Sequence, residues 1–181
     1  MQSGAKCGPM TRTSNRGVTD GDMIGPDSFR EVMSHFASGV TVVTTRDRDQ
    51  GPYGLTVSAF ASVSLDPLLV LVCLDNRISG LSAFKDSGKF GVSILSESQE
   101  EISRMFAKKD SERPESIYFD GPAGIPLIRS SLATLECETE AMYPGGDHTI
   151  FMGRVISADV LEGKTGAKPL LYFRGQYHRS G

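Results

Sequence analysis

A chain of 181 residues, 39% hydrophobic and 23% charged, has the size of one domain that buries a core without disulfide or metal staples. The formal net charge of −3 argues against a protein that lives on nucleic acid phosphates, and the longest apolar run, Leu68 to Leu74, is far short of the ~18 residues a membrane-spanning helix needs. Cys7, Cys73 and Cys137 are odd in number and form no CxxC, which argues against a disulfide framework or a zinc ribbon. What remains is a soluble, cytoplasmic globular domain unusually rich in glycine.

Residues 1–26 are Gly-, Ser- and Thr-rich, lack apolar periodicity and contain no run resembling a secretory signal; they read as a disordered tail ahead of one domain over 27–181. Ser28 precedes Glu31 by three, the spacing of a capping box, and Phe29, Val32, Met33 and Phe36 then form one apolar stripe on a helix ending at Gly39. His35 lies one residue off that stripe, as a helix-surface histidine. Val40 to Thr45 is β-branched throughout and predicts a strand. After a charged turn to Pro52, a second strand is predicted over 54–64 and a third, buried one over 68–74.

A short helix is expected over 81–85, a strand over 90–95, and a helix over 100–108 with Ile102, Met105 and Phe106 on one face. From Asp110 to Pro126 three Pro and two Gly mark a long surface excursion. Three more strands fit 132–143, 148–160 and 170–177, with a turn at 144–147. Strands outnumber helices and do not alternate regularly with them. The fold class is therefore mainly β, an antiparallel barrel with peripheral helices.

Standard catalytic motifs fail. Gly163-Lys164-Thr165 lacks the upstream glycine of a phosphate-binding loop, since position 158 is Ala, and no GxGxxG or Gly-x-Ser-x-Gly occurs. His35, His148 and His178 lack zinc-site spacing, so no metal site is expected. Three segments stand out instead. Thr56, Ser58, Ser62 and Ser64 share one phase of the 54–64 strand, a hydroxyl-lined floor suited to a planar heterocycle, although composition alone favours a plain solvent-facing edge. His148 stands where a turn meets a strand and can border a cleft. In 169–178, aromatics and Arg alternate, as they also do in ordinary sheet edges.

Taken in order, Gly39 to Val43, GLTVSAFASVSLDP, GDHTIFMGRV and PLLYFRGQY resemble the flavin reductase family with an FMN-binding split barrel, the small reductase components of two-component flavin-dependent monooxygenases. The resemblance covers Ser28 to His178. It implies a homodimer built on a six-stranded antiparallel split barrel, with flavin near the dimer interface. Thr56, Val57, Ser58, Ala59 and Phe60 would run along the isoalloxazine, the first and third offering hydroxyls and Ala59 and Phe60 their backbone groups. Ser62 would lie near the ribityl or phosphate, and Ser79 in the turn that holds the phosphate, with Arg77 or Lys89 as supporting cations. Ile78 and Gly80 replace the Ser and Thr common in that turn.

By the same resemblance His148 lies near the nicotinamide as the catalytic histidine, positioning more than transferring protons, and Tyr172 helps hold NADH or NADPH against the flavin. The function implied is hydride transfer from NAD(P)H, NADH by family habit, to FAD or FMN, with reduced flavin passed to a transient monooxygenase partner; no nucleic acid or membrane partner is expected. The alternatives are an electron carrier with tightly held FMN and a reductase of another acceptor, such as a cobalt corrinoid. The glycines Gly54, Gly80, Gly145, Gly146 and Gly153 are expected to border the groove.

Overall fold

The computed structural model describes residues 24–109, 111–160 and 166–179; residues 1–23 of the expected tail and the Gly163-Lys164-Thr165 turn lie outside the described residues. Helix α1 spans Pro26–Ser34, so it starts inside the expected tail. Gly25 is its N-cap with Pro26 at the first position, and the Ser28–Glu31 capping box does not form because both residues are already helical. Its apolar stripe is exposed rather than packed within the chain: Phe29, Val32, Met33 and Phe36 are all at least 48% accessible. His35 caps the helix C-terminus, its Nδ1 2.9 Å from the Glu31 carbonyl.

The strands that follow are β1 (Ser38–Gly39), β2 (Thr41–Arg46), β3 (Pro52–Val57), β4 (Phe60–Leu65) and β5 (Leu68–Asp75). After helix α2 (Leu81–Ser87) come β6 (Lys89–Ile94), helix α3 (Glu100–Ala107), and the short strands β7 (Tyr118–Asp120) and β8 (Pro126–Ile128). The chain ends with β9 (Ala133–Gly145), β10 (His148–Val160), β11 (Leu170–Phe173) and β12 (Gln176–Arg179). Among the described residues the fold is mainly β, and no helix is long and apolar enough to cross a membrane.

Seven strands pair antiparallel in the order β3-β2-β6-β9-β10-β5-β4. The first and last strands of that order are consecutive in the chain, joined only by Ser58 and Ala59. The expected single strand over 54–64 therefore turns a corner there and becomes two. β2 is buried along most of its length because it is packed on both faces. Val43 joins a core with Val72, Phe84, Phe90 and Phe151, while Val40 and Val42 join a second core with Leu95, Phe106 and Tyr118 beneath α3. Its interleaved threonines survive burial because their hydroxyls are satisfied, Thr41 by the Val57 carbonyl at 2.7 Å and Thr45 by the Lys89 carbonyl at 2.8 Å.

Three further expectations change. β5 alternates buried and half-exposed positions rather than being buried throughout. The 110–126 excursion is no plain surface loop: Tyr118 and Ile125 are buried, and β7 and β8 pair. There the buried Glu136 carboxylate accepts the N–H groups of Ala123 and Ile125 at 3.0 and 3.1 Å, fixing the turn between them. The 170–177 strand is a hairpin, β11–β12, reversed at Arg174 and Gly175, both with positive φ.

Candidate functional site

The β3–β4 corner opens onto a cleft of about 460 Å³, within the size range of small-molecule sites. Its floor is Thr56, Val57, Ser58 and Ala59. Ile78 and Ser79 of the turn after β5 form one side, His148 at the start of β10 stands at another, and the end of α3 with Lys108, Lys109 and Arg113 closes the third. Of the residues expected to meet a ligand, seven therefore share this cleft: Thr56, Val57, Ser58, Ala59, Arg77, Ser79 and His148.

The floor is more constrained than its sequence suggests. Thr56 Oγ1 donates to the Ser103 carbonyl at 2.6 Å, so the hydroxyl has no proton left and can only accept from a ligand. The Phe60 N–H donates to the Ser58 carbonyl and the Cys73 N–H to the Ala59 carbonyl, each at 3.0 Å. The Phe60 amide proton is thus committed to forming the corner. The row of four hydroxyls is also broken. Ser62 and Ser64 lie on β4, past the corner and with an irregularity in the pairing with β5 between them, and Ser62 does not line the cleft.

His148 is held by its neighbours. Its Nδ1 lies 2.8 Å from Asp147 Oδ1, which as a carboxylate can only accept, so Nδ1 carries the proton and neutral His148 presents the Nε2 lone pair. The hydrogen bond from His148 lowers the Asp147 carboxyl below its ordinary value. The turn after β5 is laced to the β9–β10 turn: the Asn76 N–H donates to the Asp147 carbonyl at 2.9 Å, and Thr149 Oγ1 donates to Asn76 Oδ1 at 2.7 Å. In the same turn Arg77 grips Asp75, with Nη2 to Oδ2 at 2.6 Å and Nε to Oδ1 at 3.0 Å, and holds that carboxyl well below the usual carboxylate range.

Of the two cations the sequence suggested, Arg77 lines the cleft, already paired with Asp75, whereas Lys89 lies in a different cavity, beyond α2 with Arg46 and Arg48. Lys108, Lys109 and Arg113 join Arg77 there. The Arg113 guanidinium sits over the Phe106 ring at 4.8 Å and the Tyr53 ring at 5.7 Å, and its Nε is buried with no hydrogen-bond partner among the described residues. No motif marks this triplet, and only the packing of α3 over β3 brings it to the corner; the sole sequence signal is two adjacent lysines after an amphipathic helix.

A second, apolar groove of about 670 Å³ meets the first at Ser58, Ala59 and Cys73, which line both. Tyr172 and Phe60 belong to this groove, with Phe29, Met33 and Phe36 of α1. Burial raises the Cys73 thiol above its ordinary value. The glycines mostly serve packing rather than ligand access. A Cβ at Gly80 would sit inside the Tyr53 ring, whose hydroxyl accepts the Gly80 N–H at 3.2 Å, and one at Gly54 or Gly153 would strike Phe106 or Phe90. Gly146 is a turn residue with φ of 71°.

Residues 33–181 match the family described as the flavin reductase like domain. The chain is 36% identical over 169 residues to the reductase subunit HsaB of a flavin-dependent monooxygenase from Rhodococcus jostii (strain RHA1), covering 93% of this chain and 85% of that protein. It is 37% identical over 156 residues to an NADH-dependent flavin reductase of a Rhodococcus species, covering 85% and 86% of the two chains. Among solved structures, the NADH:FAD oxidoreductase SgcE6 of Streptomyces globisporus C-1027, in complex with NAD and FAD fragments, superposes with a TM-score of 0.79 at 34% identity, covering 88% of this chain and 97% of that one.

Proposed function

The chain belongs to the flavin reductase-like domain family, and from that premise we propose that it is an NADH-dependent flavin reductase that supplies reduced FAD or FMN to a separate monooxygenase. One observation carries the reading: a hydroxyl-bearing floor, a fixed histidine and four basic side chains converge on one cleft, which adjoins an apolar groove containing Tyr172. The relatives named above as an NADH-dependent flavin reductase and as a monooxygenase reductase subunit support the same activity.

The residues present fit a phosphorylated flavin. The Arg113 Nε is a buried donor with no partner among the described residues, and Lys108 and Lys109 in the same cleft add positive charge for a phosphate. Thr56 Oγ1, held as an acceptor, suits a ligand N–H or hydroxyl, and Ser58 and Ser79 supply exposed hydroxyls on either side. The flavin, when bound, accepts hydride at N5 from the nicotinamide. Near that reaction the chain's own part is positioning: His148, oriented by Asp147, offers Nε2 to the carboxamide, and Tyr172 supports the nicotinamide from the groove.

The finer architecture in this reading is a split barrel in a homodimer, with the functional domain over 27–181. The two-residue link between the terminal strands of the sheet supports closure at the corner. The exposed stripe of α1, with Leu65 88% and Val160 72% accessible elsewhere, supports burial against a second copy. Mixing the purified chain with NADH, and separately NADPH, while free FAD, FMN or riboflavin is raised tests the function. Nicotinamide oxidation that saturates with flavin is expected, faster with NADH. A firmly yellow protein that oxidises neither nucleotide overturns the reading in favour of an electron carrier.

A further inference from the structure

We propose that Ser103, a buried residue of α3 that lines neither cavity, is a positioning residue that ties the flavin floor to the nicotinamide wall. The inference rests on the reading of Tyr172 given above. Ser103 works in two directions at once. Its carbonyl accepts the Thr56 hydroxyl proton at 2.6 Å, and its own hydroxyl lies 2.8 Å from the Tyr177 hydroxyl. The Tyr177 ring in turn meets the Tyr172 ring edge to face, with centroids 5.4 Å apart. A continuous path of two hydrogen bonds and one aromatic contact therefore runs from the cleft to the groove through a single fully enclosed residue.

The two ends depend on Ser103 differently, and this makes the inference testable. Thr56 is held by the backbone, which any substitution keeps. Tyr177 is held by the side chain, with Arg104 over its ring at 4.7 Å as the only other polar restraint the described residues provide. Tyr172 is 38% exposed and stands on a short strand, so the Tyr177 ring behind it sets how far it can swing. Removing the Ser103 hydroxyl should loosen the nicotinamide side while leaving the flavin side intact.

The experiment is steady-state kinetics of Ser103→Ala, Tyr177→Phe and the double variant, with NADH and flavin varied separately. Loss of one neutral hydrogen bond corresponds to about a three- to tenfold change, so KM for NADH should rise by that factor in each single variant, while KM for flavin and kcat stay within about twofold. The double variant should be no worse than either single one, because both remove the same bond. Tyr177→Phe, at a half-buried position, keeps the test open should Ser103→Ala fold poorly. An unchanged KM for NADH in either variant overturns the proposal, as does an equal loss in every parameter with a lowered melting temperature. A wild-type chain that oxidises no NADH would instead sink the flavin reductase reading itself.

Discussion

The two cavities that meet at Ser58 and Ala59 are built in opposite ways. The cationic cleft is closed by contacts within the chain: Asn76 laces one turn to the next, Asp147 fixes His148, and the rings of Tyr53 and Phe106 seat Arg113. The apolar groove is walled on one side by α1, a helix that buries none of its own residues. A polar ligand site can be finished by one chain because hydrogen bonds and charge pairs are local. An apolar wall of exposed Phe and Met gains its driving force only when something covers it. The cationic cleft is therefore preorganised in the single chain, and on the proposed reading the apolar groove is completed by a second copy.

Substitution of the helix should break this asymmetry most severely. Val32 and Phe36 are 62% and 73% accessible, so Val32→Asp with Phe36→Asp costs the isolated fold little. In a homodimer the same charges would be buried unpaired, and light scattering should show the mass fall by half. NADH oxidation should fall with it, while flavin binding to the cleft persists. An unchanged mass would remove α1 from the interface.

His148→Ala tests the preorganised side. If the imidazole orients the nicotinamide, kcat/KM for NADH should drop by about 100-fold, the cost of a misplaced reactant, with flavin affinity held. A variant oxidising NADH at unchanged rate and affinity would leave His148 as an ordinary turn residue.

Arg113→Ala separates phosphate recognition from ring recognition. A charge-assisted hydrogen bond to phosphate corresponds to about a tenfold or larger change in affinity, so FMN binding should weaken by that factor while riboflavin binding does not move. Equal weakening of both would mean that Arg113 serves the aromatic packing of Tyr53 and Phe106 rather than the ligand. Lys89→Ala, beyond α2, should change neither.

What the sequence revealed follows the same division. β2 was legible because a strand buried on both faces must be β-branched and nearly continuous, and α3 because its stripe packs within the chain. The corner at Ser58–Ala59 was hidden because neither residue is Gly or Pro and only Phe60 interrupts the hydroxyl phase there. The β11–β12 turn was hidden because Arg174 takes the positive φ that usually announces itself as Asn or Gly. Segment 56–59 and His148 were singled out through family resemblance and share one cleft, whereas Lys108, Lys109 and Arg113 join that cleft only through the packing of α3, which no local pattern encodes.

The smallest expected effect concerns Asp147, and its sign can be worked out. The carboxyl is lowered by the His148 hydrogen bond, so the ionised contact is fully present above the ordinary Asp value of about 3.9 and is lost only as pH falls through the lower folded value. Asp147→Asn keeps an acceptor oxygen for Nδ1–H but removes the charge, and the weaker bond should lower kcat/KM for NADH by about two- to fivefold at neutral pH. Asp147 itself takes a proton only below the ordinary carboxylate range, so its charge is fully present at neutral pH. Steady-state kinetics of both proteins at one neutral pH reads this directly. Equal kcat/KM for NADH in the two would show that the Asp147 charge does not act through His148.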